Sequence, residues 1–371
     1  MIESPDVRLV SALRANGGLT RQGLIEATGL SLATVNRVLR RLLKMGRVIV
    51  SGSEQSTGGR PPEVFVFKGD DQVVAGISVT NEGATALMMS LDGGIVGREA
   101  VPFDKADDPE SRLQQTLVLL DRVMASPPGR LAGVGVAVPG VVAGQIGTVT
   151  AIHELGWDRL ALGDLLSRRV GLPVMLDNDA NCLAVAEHAR GVGRGVSNLV
   201  ALVARNGLGA GLIANGQVYR GLHHEAGEIG YLLTERQSLR RLFPDRGELE
   251  QLIGRERLEA EADRLGLGDP GQAMLPYLIG LGQGAGGAIA ELADELLDLV
   301  ALAIAAMCVV LDPELVIVGG STDEAGMSAM ITGVRERLLG RILRVPRLEP
   351  AALGADAIMI GAACLAVDGF C

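Results

Sequence analysis

Residues 199–220 read LVALVARNGLGAGLIANGQVYR. Two apolar runs, Leu199–Ala204 and Leu208–Ala214, are separated by Asn206-Gly207, and a second turn, Asn215-Gly216, leads into a third short run. Apolar segments punctuated by Asn-Gly are the pattern of antiparallel strands joined by tight hairpins, because Asn and Gly tolerate the positive φ that such turns require. The same plan occurs earlier. Residues 73–101 read as strand, turn (Asn81-Glu82-Gly83), strand (Ala84–Ser90), turn (Asp92-Gly93-Gly94), strand. After each triplet come helical text and another buried strand: Leu131 to Val138 before Pro139-Gly140, and Leu315 to Val318 before Gly319-Gly320. Two copies of one α/β plan predict two lobes with a ligand-sized cleft between them. The glycine-rich turns at strand ends could offer backbone N–H groups to phosphate.

The composition fits that plan. The chain has 371 residues, 48% hydrophobic and 21% charged, enough for roughly two or three domains and too apolar for a disordered chain. Its 51 glycines follow no G-X-Y period, which excludes collagen. Aromatic residues make up only 2%, which argues against surfaces that stack bases or sugar rings. The four cysteines, Cys182, Cys308, Cys364 and Cys371, form no C-x-x-C pair and read as thiols of a reduced compartment. The opening MIESPDVRLV lacks the apolar core of a signal peptide, and the longest apolar run, Leu299 to Leu311, is too short to span a bilayer. The expectation is a cytoplasmic protein with no membrane partner.

Charge is unevenly placed. Residues 8–60 hold nine basic side chains against Glu26 and Glu54, a net +7. The first seven residues contribute −2 and the whole chain is −10, so residues 61–371 carry −15. A basic head on an acidic body suits a nucleic-acid-binding module, and also a solvated helical face. Pattern separates the two readings. Asp6 to Ala15 has helical spacing of Val7, Val10 and Leu13, and Asn16-Gly17-Gly18 ends it. Thr20 can cap a second helix, Gly29 makes a turn, and Ser31 can cap a third helix, Leu32 to Met45, with Val35, Val38, Leu39 and Leu42 inward. That is a helix-turn-helix, whose second helix enters the major groove. Ser31, Ala33, Thr34, Asn36 and Arg37 fall off the apolar stripe and are the candidates for base edges. Asn36 could pair with adenine and Arg37 with guanine or phosphate. Arg40, Arg41 and Lys44 are candidates for phosphate. Two strand-like runs, Arg47–Ser51 and Glu63–Phe67, then close on a loop as a wing. Within the loop, Gly59 and Arg60 form either a minor-groove arm or an ordinary Pro/Gly linker.

In the body, LPVMLDNDAN places Asp177, Asn178, Asp179 and Asn181 where a strand ends near Leu176 and a helix begins near Ala180. One reading is helix capping. The other is a carboxylate at a cleft that accepts a hydroxyl proton, with an amide beside it to orient a polyol. GLHHEAGEIGY places Glu225 and Glu228 in a glycine-rich loop, and adjacent His223 and His224 point apart, unlike a metal pair.

The whole chain resembles the ROK family (repressors, open reading frames and sugar kinases). The head motifs GLSLATVNRVLRRLLKMGRV and STGGRPP are similar to the family's repressor branch. LAGVGVAVPG, ELGW, LPVMLDNDANCLAVAE, GLGAGLIANGQVYRGLHHEAGEIG and LDPELVIVGG are similar to its body motifs, in order. The resemblance implies an α/β fold: an N-terminal winged helix-turn-helix followed by a two-lobed actin/hexokinase-like (ribonuclease-H-like) body, in homodimers or tetramers. The implied division is 1–69 for the DNA-binding head with wing and linker, and 70–182 for the first lobe, completed by a C-terminal helix 355–371. Residues 183–354 form the second lobe with dimerisation helices.

Departures from the family pattern sharpen the functional expectation. Family kinases begin with an Asp-x-Gly-Gly-Thr-like turn for nucleotide phosphate and magnesium. Here Ser78 stands at the aspartate, and Glu82 adds negative charge, which opposes ATP. The second phosphate loop keeps only its latter part in Arg205–Gly211. Asp179 matches the kinase general base. Many members hold zinc with a His after GEIG and a Cys-x-Cys-Gly-x-x-Gly-Cys-Leu-Glu run. Here Tyr231 replaces the His, and Leu242–Glu250 has no cysteine. The expectation is therefore no zinc, no ATP or magnesium, and no catalytic residue, with Asp179 a vestigial base. Asn178, Asp179, Glu228, Tyr231 and Glu250 are the implied effector contacts. The expected function is a transcriptional regulator, a repressor, that binds double-stranded operator DNA and answers to a sugar or sugar-derivative effector. The alternative is an active hexose or N-acetylhexosamine kinase with a DNA-binding head.

Overall fold

The computed structural model describes residues 5–44, 46–53, 62–68, 72–91, 93–104, 106–125, 127–143, 147–152, 155–172, 174–205, 207–268 and 273–370. Gly59, Arg60 and Cys371 lie outside the described residues.

The head contains α1 (Pro5–Asn16), β1 (Leu19–Thr20), α2 (Arg21–Thr28), α3 (Leu32–Lys44), β2 (Val48–Ser53) and β3 (Glu63–Phe67), with strand order β1-β3-β2. Thr20 caps α2, its hydroxyl accepting from the Gly23 N–H at 3.2 Å. Gly29 takes φ +64° and ends α2, its N–H donating to the Ile25 carbonyl. Ser31 caps α3 by accepting from the Thr34 N–H at 3.3 Å. Val35, Val38, Leu39 and Leu42 are buried against Leu9, Leu13, Leu24 and Phe65, as the helical stripe requires.

The first lobe comprises β4 (Gln72–Thr80), β5 (Gly83–Ser90), β6 (Ile95–Pro102), α4 (Pro109–Ala125), β7 (Arg130–Val138), β8 (Val141–Ala143), β9 (Thr148–Ile152), β10 (Trp157–Leu160), α5 (Leu162–Val170), β11 (Val174–Asn178) and α6 (Asp179–Arg190). The second comprises β12 (Leu199–Ala204), β13 (Leu208–Ala214), β14 (Gln217–Val218), α7 (Glu248–Ile253), α8 (Arg255–Arg264), α9 (Met274–Leu281), α10 (Ala288–Leu311), β15 (Leu315–Gly319), α11 (Glu324–Leu338) and β16 (Arg347–Pro350). The described chain ends in α12 (Ala357–Phe370). The two large sheets have the same order, β6-β5-β4-β7-β11 and β14-β13-β12-β15-β16. In each, three antiparallel strands adjoin two parallel ones. The duplicated plan is thus a duplicated topology. The small sheet β10-β9-β8 is an addition that the strand patterning does not anticipate.

Helix α12 packs on β4, β7 and α6, while α6 packs on β12 and β13, so these two helices lie between the sheets. The approach is at backbone distance. A Cβ on Gly135 of β7 would fall on the Ala362 carbonyl, and one on Gly361 of α12 on the Cys182 carbonyl. The C-terminal helix therefore lies on the first sheet. Residue 182, taken above as the lobe boundary, falls inside α6, and the strand before it runs on to Asn178 rather than ending at Leu176. The cut is misplaced because α6 belongs by packing to both lobes. Cys182 and Cys308 are buried and Cys364 is half-buried. Burial pushes the Cys308 thiol up to about 11.

Gly361→Ala should lower the urea-unfolding free energy by about 1–3 kcal/mol, because the added methyl meets backbone that cannot yield. Gly286→Ala, at a site open to solvent, should stay within about 0.5 kcal/mol of the parent. Equal shifts for the two would contradict the close contact.

Candidate functional site: recognition helix and interlobe cleft

On α3, Ala33, Arg37, Arg40, Arg41 and Lys44 are exposed, and Thr34 and Asn36 are half-buried. Together they form the solvent-facing edge opposite the buried stripe. Ser31 is exposed, and its hydroxyl also hydrogen-bonds the Thr34 hydroxyl at 3.0 Å, so its first role is the cap. The sequence reading misses Leu32, which is 54% exposed in the first turn of α3, where an apolar side chain can meet a thymine methyl. Leu32 sits three residues before Val35, at the spacing of the buried stripe, so nothing in the sequence signalled its exposure. Among the described residues, Arg8 and Arg21 bond within the head. Arg8 donates to the Thr28 carbonyl, and Arg21 pairs with Glu63 at 2.9 Å and covers the Phe65 ring at 4.6 Å.

A cleft of about 1280 Å³ opens between the lobes, and Asn178, Asp179, Glu228, Tyr231 and Glu250 all line it. Its floor is the junction of β11 and α6. The Asn178 side chain holds that junction: its carbonyl caps α6 by accepting from the Ala180 N–H at 2.8 Å, and its amide donates to the Gly140 carbonyl at 3.0 Å. Asn178 is thus the cap, and Asp179 lines the cavity. Asp177 lies outside the cleft lining, buried, accepting from Arg220 Nε at 2.9 Å and Asn181 Nδ2 at 2.8 Å. Sequence reasoning leaves this anchor unseen because Arg220 lies 43 residues away.

Asp179 lacks such donors. Burial pushes its carboxyl up, opposed by the Arg205 charge and by backbone hydrogen bonds. Glu228 is pushed up to about 7, by loss of water first and then by the charges of Asp179 and Glu225. A protonated Glu228 beside an ionised Asp179 can present a donor and an acceptor to a polyol. Tyr231 is 52% exposed at the rim and donates to the Asp245 carbonyl at 3.4 Å. Glu250 lies opposite, close to Gly207 and Gly230. His223 is exposed and His224 half-buried, and among the described residues no group of three or more His, Cys, Asp or Glu could hold a metal. No helix among them is long and apolar enough to cross a membrane.

Glu228 yields a pH test. Its pKa is raised on folding, so the folded chain holds a proton that the unfolded chain releases near the ordinary value of 4.5. Its stabilising contribution is full below that value and is lost as pH rises through about 7. Glu228→Gln should therefore gain stability relative to wild type as pH rises from about 4 to about 8, by at most about 3 kcal/mol. A difference independent of pH would contradict the desolvated placement of Glu228 beside Asp179.

Comparison with known proteins agrees with the architecture. The ROK family profile matches residues 74–368, and a profile described as winged helix-turn-helix DNA-binding matches residues 4–49. The xylose repressor of Caldicellulosiruptor bescii is 30% identical over 216 residues, 57% of this chain and 54% of that protein. The chain thus spans about half the length of the curated repressors it matches. A glucokinase of Halalkalibacterium halodurans is 24% identical, over 78% of this chain and 94% of the kinase. The crystal structure of a ROK family transcriptional regulator, a homologue of the E. coli MLC protein, superposes with a TM-score of 0.79 at 20% identity, over 98% of this chain and 97% of the other. A duplicated lobe plan, a capped recognition helix and a profile match across most of the body lead to one conclusion: the chain belongs to the ROK family and carries a winged helix-turn-helix at its N-terminus.

Proposed function

We propose that the chain is a transcriptional regulator, a repressor, that binds operator DNA as a dimer and is released by a sugar or sugar derivative held in the cleft. The observation that carries this reading is the solvent-facing polar edge of α3, set in a head whose apolar core continues into the body. Leu9, Leu13, Phe65 and Phe67 share one cluster with Leu87, Leu91 and with Ile360, Ala363 and Val367 of α12. In this reading Asn36 and Arg37 read bases, Ala33, Thr34 and Leu32 add apolar and hydroxyl contacts, and Arg40, Arg41 and Lys44 position the duplex on its phosphates. Asn178, Asp179, Glu228, Tyr231 and Glu250 contact the effector. Effector occupancy favours a lobe arrangement in which paired recognition helices no longer match the half-site spacing, which requires a few kcal/mol of differential affinity.

The same reading assigns no phosphoryl transfer and neither ATP nor magnesium. The turn that would receive phosphate bonds to itself: the Glu82 N–H donates to the Thr80 hydroxyl at 3.2 Å, and that hydroxyl donates to the Gly83 carbonyl at 3.3 Å. Ser78 is buried, and Glu82 lines the cleft. A carboxylate there repels a nucleotide, and the self-bonded turn has one donor fewer to give it.

Gel-shift titration of genomic fragments at fixed salt should reveal a specific site. Asn36→Ala and Arg37→Ala should each weaken specific binding by about 1–3 kcal/mol and leave non-specific binding nearly intact. Arg40→Ala should weaken all sequences alike and reduce the salt slope by about one. No fragment above background would refute the DNA reading. In a coupled ADP-release screen of hexoses, pentoses and N-acetylhexosamines, turnover that Asp179→Asn abolishes would establish the kinase instead.

A further inference from the structure

The loop between Ile229 and Gly247 forms one wall of the cleft. It contains two short 3-10 turns, Ile229–Tyr231 and Arg236–Arg240. Ile229 and Leu232 anchor its start on the second-lobe core, but Leu239 and Leu242 further along are 74% and 93% exposed. What crosses it is a carboxylate. Glu248, the first residue of α7, is buried. One of its oxygens accepts from the Thr234 N–H at 2.6 Å and the Thr234 hydroxyl at 3.0 Å. The other accepts from the Ser238 hydroxyl at 2.6 Å and faces Arg241 Nη1 at 3.5 Å. Burial alone would push this carboxyl up, but the Ser238 and Thr234 hydrogen bonds and the Arg241 charge outweigh it and hold it below the usual range. The group is therefore ionised at neutral pH, and a buried carboxylate with this many donors is well compensated. Beside it, Gly247 is pressed against the Gly230 carbonyl and the Tyr231 backbone, with no room for a side chain. The two ends of the loop therefore meet where Glu228, Tyr231, Asp245 and Glu250 line the cavity.

The family resemblance implies zinc at this place, and these residues do not fit it. Matched onto Gly-Cys-Leu-Glu, the stretch Gly247-Glu248-Leu249-Glu250 puts Glu248 at a cysteine position, and Tyr231 stands at the histidine. A carboxylate already engaged by two hydroxyls, an amide and a guanidinium has no lone pair aimed at a fourth-ligand geometry. We propose that Glu248 is a positioning residue, a buried carboxylate clasp that orders loop 229–247 without a metal and so presets the cleft wall that carries Glu228 and Tyr231. Its effect on ligand affinity rests on the reading of the cleft as an effector site. Its effect on the loop does not.

The test uses the full chain and two readouts. In wild type, metal analysis should find no stoichiometric zinc, and EDTA should change neither amide exchange over 229–247 nor tryptic cleavage after Arg236, Arg240 and Arg241. Glu248→Gln should speed both by about tenfold or more while exchange in α3 and β4 stays as in wild type. Thr234→Val, which keeps the backbone donor and loses the hydroxyl, should fall between them and serves if the glutamine variant does not fold. D-Xylose, D-glucose and N-acetylglucosamine are the ligand probes, and any that binds wild type should bind Glu248→Gln about tenfold more weakly. If none binds wild type, the effector reading fails while the exchange result still decides the clasp. Unchanged exchange in both variants, or a bound zinc whose removal loosens the loop, would overturn the proposal.

Discussion

A helix can rest its backbone directly on a sheet and on a second helix only where side chains are absent from the contact. Gly135 on β7 and Gly361 on α12 meet that demand, the first beneath the Ala362 carbonyl and the second against the Cys182 carbonyl. The consequence runs through the molecule. With α12 seated so deeply, α6 lies between it and the second sheet, and the first turn of α6 becomes the cleft floor that carries Asp179. Helix α12 contributes Ile360, Ala363 and Val367 to the cluster that also holds Val74 of β4, Leu87 of β5 and the core of the head. Cleft floor and winged helix-turn-helix head thus stand one helix apart, although residues 67 and 179 are distant in sequence.

The carboxylates divide into two kinds, and the division is physical. Asp177, Glu187 and Glu248 are buried and fully engaged: Asp177 by Arg220 and Asn181, Glu187 by the Val192 and Leu353 amides at 3.0 and 2.9 Å, and Glu248 by its four donors. Each ties together segments that no hydrophobic contact would align in one register. Glu187 is informative here, because it joins the end of α6 to the segment before α12 and so reinforces the glycine contact. Asp179 and Glu228 are half-buried and line the cleft, and both are pushed up. Desolvated carboxyls at a cavity are where a ligand can supply what the protein does not.

The head shows the same economy at its surface. Its net positive charge overstates the number of cations available to a duplex, since Arg8 and Arg21 are bonded within the fold. Along α3 the exposed cations Arg37, Arg40, Arg41 and Lys44 form a compact row, set one turn beyond the small residues of the helix start. That spacing suits a helix that enters a groove by its N-terminus and grips the backbone with its later turns.

Sequence alone determined the duplicated strand plan, the helix caps at Thr20 and Ser31 and the inward stripe of α3, while the residues of the cleft were implied by the family resemblance and brought together only by the fold. The first three are local matters. Period-two and period-3.6 patterning, Asn-Gly turns and side-chain caps act within a few residues, and so they can be read from a few residues. Tertiary structure alone decided that Asp177 is an anchor while Asp179 faces the cavity, that α6 serves both lobes, and that Glu248 is bonded to Thr234 and Ser238. Each of those outcomes depends on a partner brought from elsewhere in the chain: Arg220 for Asp177, α12 for α6, and Thr234 and Ser238 for Glu248. The identity of such a partner is set by how the sheets and helices stack, which no short window of sequence contains.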